Sequence, residues 1–331
     1  MKKRIFAAVL AACALLFSVP FISGCSAGVK YELNEDGASY TISVKGFIGA
    51  FKGEFEIPET YSAGEGEPEY PVTAVADKGF SGTRITKIMV PASIKELGVG
   101  AFFSCDNLKE VVFAEESQIE NIYNGTFLNC RALETINLPQ TVKLIYPQAF
   151  SGCTALKSIE LPQNIERIGY MAFHNSGLEE IEIPERVVDV EKPDLDENGE
   201  QKKDDSGHLL TVTEYGLGYA AFHTCVKMKK AVVKAKIETL RNGVFGYCTA
   251  LEDIYLPETL KEIEGALMYN GSLFCGHPFH HDKSLKNIYF AGTEEQWKAV
   301  KIDNNKVVDK YNEPYDNSAV EKAEKHFEAQ F

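Results

Sequence analysis

The sequence is poor in basic residues and has none of several short motifs that mark catalytic or nucleotide-binding sites. Its 34 Lys and Arg residues stand against 48 Asp and Glu residues, which gives a formal charge of −14. Because no basic stripe is available to offset phosphate repulsion, we expect no nucleic-acid partner. The sequence contains no Gly-x-Ser-x-Gly elbow, His-Glu-x-x-His pair or phosphate loop. We therefore predict a protein without catalytic activity or a cofactor.

What the chain does contain is a phrase that recurs about every 23 residues. Three copies read Leu133-Glu-Thr-Ile-Asn-Leu-Pro139, Leu156-Lys-Ser-Ile-Glu-Leu-Pro162 and Leu251-Glu-Asp-Ile-Tyr-Leu-Pro257. A phenylalanine marks each repeat, at Phe80, Phe102, Phe127, Phe150, Phe173, Phe222 and Phe245. The long step from Phe173 to Phe222 corresponds to one repeat plus an insertion. A fixed period of this length predicts a stack of like units.

Each unit can be interpreted from its spacing. Ile136-Asn137-Leu138 alternates apolar and polar residues, which predicts a short strand with two side chains inward. Pro139 then ends the strand, since proline cannot donate to a ladder. One such coil cannot bury its own apolar face, so it must stack on its neighbours. We expect a right-handed solenoid with a parallel β-sheet on one side.

These residues resemble the BspA-like family of bacterial leucine-rich repeats, whose unit carries the Leu-x-x-Ile-x-Leu-Pro segment and Ala-Phe-x-x-Cys. The resemblance covers roughly Phe55 to Trp297 and includes the closing stretch that ends at Trp297. It implies a non-catalytic cell-surface protein that adheres to host or neighbouring-cell proteins. Fold resemblance alone does not locate a binding site.

The N-terminus predicts export. Met-Lys-Lys-Arg, then an apolar run from Ile5 to Ile22, is typical of a secretory signal over residues 1–24. Ser23-Gly24-Cys25 resembles a lipoprotein processing site, and that resemblance implies lipidation of Cys25, with residues 25–30 as the linker. The alternative is an uncleaved membrane helix. Removal of residues 1–24 takes away three cations and makes the formal charge −17.

The cysteines are expected to be free, although exported proteins often form disulfides. Five of them occupy one position of the repeat, three residues after the phenylalanine. Thr83 and Ser176 fill that position in the two remaining copies. The position therefore requires a small residue and not a bridge. The five are Cys105, Cys130, Cys153, Cys225 and Cys248.

The remaining segments are expected to form the two ends of the repeat stack and the insertions within it. Residues 31–54 predict an N-terminal hairpin cap, residues 55–291 the solenoid with a hairpin insertion at about 188–213, and residues 292–331 C-terminal capping helices. In the eighth coil either Met268 or Phe279 could take the phenylalanine position. Thr293-Glu-Glu-Gln296 has capping-box spacing. A second helix is expected from Ser318, with Val320, Ala323 and Phe327 on one face.

Three groups of residues could hold a metal, and each has a simpler explanation. Asp194, Asp196, Asn198, Gly199 and Asp205 match part of a calcium loop but also suit a hairpin tip. The loop from Cys275 to Asp282, with His277, His280 and His281, is dense in zinc ligands but too tightly spaced for easy tetrahedral convergence. His174 and His223 are expected to stack near the surface. We predict no metal site.

The sheet face is the predicted binding surface, because function in such arrays usually lies there. The outward residues at the strand centres are Met89, Val112, Asn137, Glu160, Glu182, Val232, Tyr255 and Tyr289. The preceding outward residues are Lys87, Glu110, Thr135, Ser158, Glu180, Lys230, Asp253 and Asn287. The candidate binding residues among them are Met89, Asn137, Ser158, Glu160, Glu180, Glu182, Asp253, Tyr255 and Tyr289.

The sequence thus predicts a monomeric, exported, lipid-anchored surface protein that binds a protein or glycan on host or neighbouring cells. Two alternatives remain open. One is a structural scaffold of the cell envelope, which the short linker of residues 25–30 would favour. The other is a metal-dependent hydrolase built on the loop at residues 275–282.

Overall fold

The computed structural model describes residues 28–45, 49, 51–195, 201–203, 209–269, 272–303, 307–308, 314–315 and 317–331. The predicted signal segment and Cys25 lie outside these ranges, as does most of the candidate calcium loop. No helix in the described part of the chain is long and apolar enough to cross a bilayer.

One side of the molecule is a run of parallel strands, one from each coil, which we call the sheet face. Its first part comprises β3 (Lys52–Glu56), β6 (Arg84–Val90), β8 (Glu110–Phe113) and β10 (Thr135–Asn137). Its second part comprises β13 (Glu180–Ile183), β16 (Lys230–Val233), β18 (Asp253–Leu256), β22 (Asn287–Phe290) and β26 (Glu324–His326). Equivalent residues of successive repeats lie opposite each other, as Ile136 does to Val111. The coils are therefore stacked in register.

A second row of short parallel strands follows the chain reversal after the strands of the sheet face. It comprises β5 (Glu69–Val75), β7 (Glu96–Leu97), β9 (Asn121–Ile122), β11 (Leu144–Ile145), β12 (Arg167–Ile168), β17 (Thr239–Leu240), β19 (Glu262–Ile263) and β23 (Lys301–Ile302). The aliphatic residue of each coil, such as Ile145, is buried beneath this row. Both rows thus enclose one continuous apolar core.

The phenylalanines form a single column through that core. Adjacent ring centroids are 5.1 to 6.1 Å apart in the series Phe80, Phe102, Phe127, Phe150, Phe173, Phe222, Phe245 and Phe279. Every ring is buried. The stacking of successive repeats is confirmed, and Phe279, not Met268, marks the eighth coil.

The cysteine position supplies a hydrogen-bond donor as well as a small volume. The Cys105 thiol donates to the Phe80 carbonyl oxygen at 3.0 Å, and the Cys130 thiol donates to that of Phe102 at 3.1 Å. Cys153, Cys225 and Cys248 make the equivalent bond to the preceding coil. These five thiols are free and buried, as predicted. Serine and threonine fit because a hydroxyl is also a small donor.

The insertion within the sixth coil, between β13 and Phe222, forms an antiparallel hairpin, as predicted, from β14 (Val190–Pro193) and β15 (Thr211–Glu214). The guanidinium carbon of buried Arg241 lies 3.3 Å from the Tyr215 ring centroid at the base of this hairpin. Arg241 also pairs with Glu264 at 3.2 Å, next to the second insertion. The second insertion is a hairpin of β20 (Leu267–Tyr269) and β21 (Ser272–Cys275).

The first coil is preceded by an antiparallel pair, β1 (Gly28–Leu33) and β2 (Tyr40–Lys45). β2 runs parallel to β5, which itself pairs with β4 (Thr60–Ser62). The Phe51 and Phe55 rings lie 5.9 and 5.6 Å from Phe80, so the phenylalanine column continues toward this end.

The C-terminal segment is less helical than the sequence predicted. Helix α1 (Glu294–Ala299) begins with the expected capping box, in which Thr293 and Gln296 bond reciprocally. Helix α2 (Ser318–Lys322) ends before Ala323, and the chain then extends into β26. The prediction that Phe327 lies on this helix was wrong, because β26 pairs with β22 and the ladder overrides local helix propensity. Between the helices lie β24 (Val307–Val308) and β25 (Pro314–Tyr315).

Candidate functional site on the sheet face

The N-terminal half of the sheet face offers few free polar groups. Met89 is half-buried, and Lys87 pairs with Glu110 at 2.9 Å. The Asn137 side chain accepts from the Phe113 N–H at 2.9 Å and donates to the Phe113 carbonyl oxygen at 3.0 Å. Asn137 is therefore occupied in holding β10 to β8, although its position on the face is as predicted.

The sheet face is interrupted in the fifth coil. Residues 158–161 have the same sequence pattern as their neighbours but form no strand. Among the described residues, neither the N–H nor the carbonyl groups of Ser158–Leu161 make a main-chain hydrogen bond. Pairing resumes on either side of the break, where the Glu179 N–H donates to the Lys157 carbonyl oxygen and the Glu166 N–H to that of Lys143. We call residues 158–161 the open segment.

The interruption also changes burial along the face. Ile136 and Ile159 are partly exposed, whereas the equivalent Ile88, Ile181 and Ile254 are buried. The phenylalanine rings beneath the break remain stacked, with 5.1 Å between Phe150 and Phe173. The opening is thus confined to the sheet face and leaves the core intact.

A concavity of about 460 Å³ lies over this break. Its lining comprises Ser158, Ile159, Glu160, Leu161, Gln163, Glu180, Ile181, Glu182, Lys230 and Val232. Four predicted binding residues, Ser158, Glu160, Glu180 and Glu182, therefore share one depression. The structure places all four side chains in solvent.

The carboxylates in the concavity are not equivalent. Glu182 pairs with Lys234 at 2.9 Å. Glu160 and Glu180 are exposed and have no ion-pair partner among the residues that the structure describes. Two carboxylates without an ion-pair partner in the described structure therefore lie beside the open segment, and Lys230, opposite Glu180 in β16, lines the same concavity.

Val232 does not extend this surface as predicted. It is only 8% exposed, although it belongs to the lining of the concavity. The alternation of residues along the strand predicts on which side of the sheet Val232 lies, but it does not predict how much of the side chain is exposed.

The C-terminal half of the face carries a stack of rings. The Tyr255 and Tyr289 centroids are 4.3 Å apart, and those of Tyr289 and His326 are 4.6 Å apart. The Lys230 ammonium lies 4.9 Å from the Tyr255 centroid, a cation–π contact. Desolvation, and then the carboxylate of Asp253, raise the pKa of Tyr289.

Asp253 belongs to the polar row beside this stack. Its carboxylate accepts from the Asn287 amide at 2.7 Å, and the Asn287 side chain also contacts His326 Nε2 at 3.2 Å. The predicted Asp253, Tyr255 and Tyr289 thus lie together on β18 and β22, and β18 is the strand next to β16, which lines the concavity. Sequence reasoning missed His326, because its strand was assigned to a helix.

The metal candidates gain no support from their surroundings. No group of three or more His, Cys, Asp or Glu side chains among the described residues could hold a metal ion. His277, His280 and Asp282 are buried inside the eighth coil, and the side chain of Cys275 lies outside the described part. Of the calcium candidates, Asp194 pairs with Lys202 at 2.8 Å, while residues 196, 198, 199 and 205 lie outside the described ranges.

His174 and His223 stack as expected, with ring centroids 5.5 Å apart. Burial, with a smaller contribution from His174, lowers the pKa of His223 to about 4. Burial also lowers the pKa of His174. Both rings are therefore neutral near pH 7, and the pair belongs to the packing of the coils.

A comparison with protein families assigns the repeats. Six copies of the BspA type leucine-rich repeat region match residues 73–193 and 213–296. The chain belongs to the BspA-type leucine-rich-repeat family. The gap between the two matched stretches, residues 194–212, falls in the outer part of the β14–β15 insertion.

Solved structures of bacterial leucine-rich-repeat proteins resemble this BspA-type chain. A protein from Bacteroides ovatus is 20% identical, with 79% of this chain and 69% of that chain covered and a TM-score of 0.46. A cell-surface protein from Faecalibacterium prausnitzii is 19% identical (84% and 97% covered, TM-score 0.37). The pneumococcal vaccine antigen PcpA is 18% identical (79% and 80% covered, TM-score 0.41). A search of curated proteins returned no match.

Sequence reasoning could not have found the open segment. Ser158-Ile-Glu-Leu161 alternates polar and apolar residues as Thr135-Ile-Asn-Leu138 does in the fourth coil, so no local signal marks the break. Only the positions of the adjacent coils show it.

Proposed function

We propose that this chain is an exported, lipid-anchored surface protein that binds a protein or glycan of host or neighbouring cells through its sheet face, without catalysis. The BspA-type repeats support a binding role, since repeat arrays present an extended surface to partners. The signal segment and Cys25 support export and anchoring on sequence grounds. Adhesion is the form of binding that this combination favours.

The observation that carries the proposal is the concavity over the open segment. Recognition surfaces combine unpaired polar groups with partly exposed apolar side chains in a depression. Glu160 and Glu180 supply exposed carboxylates that make no ion pair with a described residue, and Ile159 supplies apolar surface. The Tyr255–Tyr289–His326 stack extends the same face with residue types that are enriched at interfaces.

The test is charge reversal on the face. We expect Glu160→Lys, Glu180→Lys and Glu182→Lys together to abolish retention of the purified protein on host matrix or on intact neighbouring cells. Circular dichroism should show unchanged folding, because all three side chains are exposed.

A matched control carries Glu65→Lys, Glu67→Lys and Glu115→Lys. These exposed residues lie away from the sheet face and undergo the same change of charge. The control should be retained like the parent. Equal retention of both triple variants would refute binding through the face.

We also propose that the two ends of the stack are capped, by the β1–β2 hairpin and by the segment from α1 onward, around a right-handed solenoid. Trp297 packs on Phe290 with 5.3 Å between ring centroids, which supports closure of the last coil. Trp297→Ala should accelerate amide hydrogen exchange in β22 and β18. Unchanged exchange in these strands would contradict a capping role for α1.

A further inference from the structure

We propose that the protein forms a two-fold dimer in which β15 of one copy pairs antiparallel with β15 of a second copy. This inference goes beyond the proposed function, since it concerns the insertion hairpin and not the sheet face. The hairpin of β14 and β15 is a sheet of two strands, so each strand has one side that no other described strand covers. The second copy is the partner because β15 is complementary to itself.

The hairpin carries a large share of the exposed apolar surface. Of the eight exposed large apolar side chains in the described part of the chain, four belong to this insertion: Val190, Leu195, Leu209 and Val212, which are 42% to 58% exposed. Every residue of the two strands is exposed except Glu214, which is half-buried. Solvent therefore reaches both faces of the hairpin. Clustered apolar side chains of this kind mark an interaction surface.

The ladder determines which main-chain groups of β15 point away from β14. The Asp194 N–H donates to the Leu210 carbonyl oxygen at 2.9 Å, so these residues form a hydrogen-bonded pair at the end of the ladder. Such pairs alternate with non-bonded pairs along antiparallel strands. Thr211 and Thr213 therefore direct their N–H and carbonyl groups outward, and no main-chain group of a described residue bonds to them there.

Antiparallel pairing of β15 with its own copy satisfies these outward groups. A two-fold axis at Val212 places Thr211 opposite Thr213 of the second copy, and the two symmetry-related pairs form four main-chain hydrogen bonds. Val212 then lies opposite Val212 of the second copy, and Leu210 lies opposite Glu214. No like charges meet, and β-branched residues pair across the axis, as stable strand pairs require.

The other strand does not allow the same pairing. By the same alternation, Glu191 and Pro193 direct their main-chain atoms outward in β14. An axis between them lies at Lys192, so two ammonium groups would face each other. Pro193 has no N–H, so the Glu191 carbonyl oxygen opposite it would lack a donor. Charge and proline are the usual protection of an outer strand, and β15 has neither on its outward residues.

The dimer would convert two hairpins into one four-stranded sheet with the order β14–β15–β15–β14. Val190 and Val212 lie on the same face of the hairpin, as does the Lys192–Glu214 ion pair at 2.6 Å. Pairing covers the Val212 side chains with each other. A two-stranded hairpin is marginally stable by itself, whereas a sheet of four strands is not. The dimer would also hold two sheet faces in one particle, which strengthens binding to a partner that carries repeated sites.

Cysteine cross-linking tests the register of the pairing. Val212→Cys puts two thiols directly across the axis, at a position where Cβ atoms lie about 4.5 Å apart and a disulfide can form. Val190→Cys is the matched control, because Val190 is 42% and Val212 45% exposed. The two Val190 positions would be separated by three strand spacings, or roughly 14 Å. We expect oxidised glutathione to link Val212→Cys at least about ten-fold faster than Val190→Cys, measured by non-reducing electrophoresis and mass spectrometry of the linked peptide.

Sedimentation velocity tests the association without an introduced cysteine. The average mass of the parent should rise toward twice the monomer mass as its concentration increases. Val212→Lys places two ammonium groups across the axis and should sediment as a monomer. Val190→Lys makes the same change on the outer strand of the proposed sheet and should associate like the parent.

Three results would overturn the inference. One is a parent protein that sediments as a monomer throughout the micromolar range, as the sequence led us to expect. Another is equal cross-linking of Val190→Cys and Val212→Cys, which would indicate random collision. The third is association that Val212→Lys leaves intact, since the contact would then lie outside β15. Retention through the sheet face is measured separately and does not depend on these results.

Discussion

Asp282 occupies the repeat position that Cys, Ser or Thr fills in the seven preceding coils, and we predict that Asp282→Ser stabilises the protein. Asp282 lies three residues after Phe279 and is 1% exposed. Neither carboxyl oxygen makes a hydrogen bond of good geometry within the described structure. Burial therefore raises the pKa of Asp282 well above its usual range, and the main chain at Cys248 offsets only part of this effect.

The sign of the pH dependence follows from this shift. The unfolded chain ionises Asp282 near pH 3.8, whereas the folded chain keeps it protonated to higher pH. The free energy of unfolding of the parent should therefore fall as the pH rises above about 4, until the folded pKa is passed. The slope from one group cannot exceed about 1.4 kcal/mol per pH unit.

The stabilisation expected for Asp282→Ser has two parts. Serine is a small donor, as Ser176 shows at the same position, so Asp282→Ser should remove an unsatisfied buried group worth about 1–3 kcal/mol. It should also remove the slope, so that its advantage over the parent grows with pH. Urea unfolding of both proteins from pH 4.5 to 8 measures this difference.

Asp282→Asn is the matched control, because it keeps the shape of the side chain and cannot ionise. Its difference from the parent should show the same pH dependence as that of the serine variant. A difference that is independent of pH, or that shrinks as the pH rises, would refute the assignment of a neutral buried carboxyl.

Three further predictions concern the stacked coils. Phe150→Ala should lower the free energy of unfolding by about 3–5 kcal/mol, measured by urea denaturation, because its ring lies between two others in the column; a variant as stable as the parent would contradict this. Cys153→Ser should be tolerated, whereas Cys153→Val should cost about 1–3 kcal/mol in the same assay, because valine cannot donate to the adjacent carbonyl oxygen. Thr135→Pro should cost about 1–3 kcal/mol through the lost ladder bond, whereas Ser158→Pro, whose N–H is unbonded, should stay within about 0.5 kcal/mol in thermal and urea unfolding. Equal losses in the two proline variants would show that the open segment is paired after all.

The candidate site was only partly predictable. The alternation of each strand placed Glu160, Glu180 and Glu182 on one face, because side chains of a strand alternate between its sides. It could not show that Asn137 is held by Phe113, since that bond joins two coils. It also misjudged Val232, whose depth depends on neighbouring strands.

The sequence alone determined the repeat, its length and the identity of the core. A periodic phenylalanine and a small donor three residues later must be buried together, because both recur where the chain makes the same turn. The phase left Met268 and Phe279 as candidates for the eighth ring, and the structure selects Phe279. These features depend on which residue types recur at fixed intervals, and the sequence shows those intervals without a structure.

Only the tertiary structure decided the backbone of the turns and the break in the face. Two residues after each phenylalanine the backbone has positive φ in all eight coils, although the residues there include Ser104, Asn129, Thr224 and Tyr247. Most of these side chains disfavour that conformation by roughly 1–2 kcal/mol. Hydrogen bonds between coils offset this cost, as from the Phe150 N–H to the Ala172 carbonyl oxygen. The open segment arises in the same way, because a ladder requires two coils, and residues 158–161 do not by themselves encode the position of the neighbour.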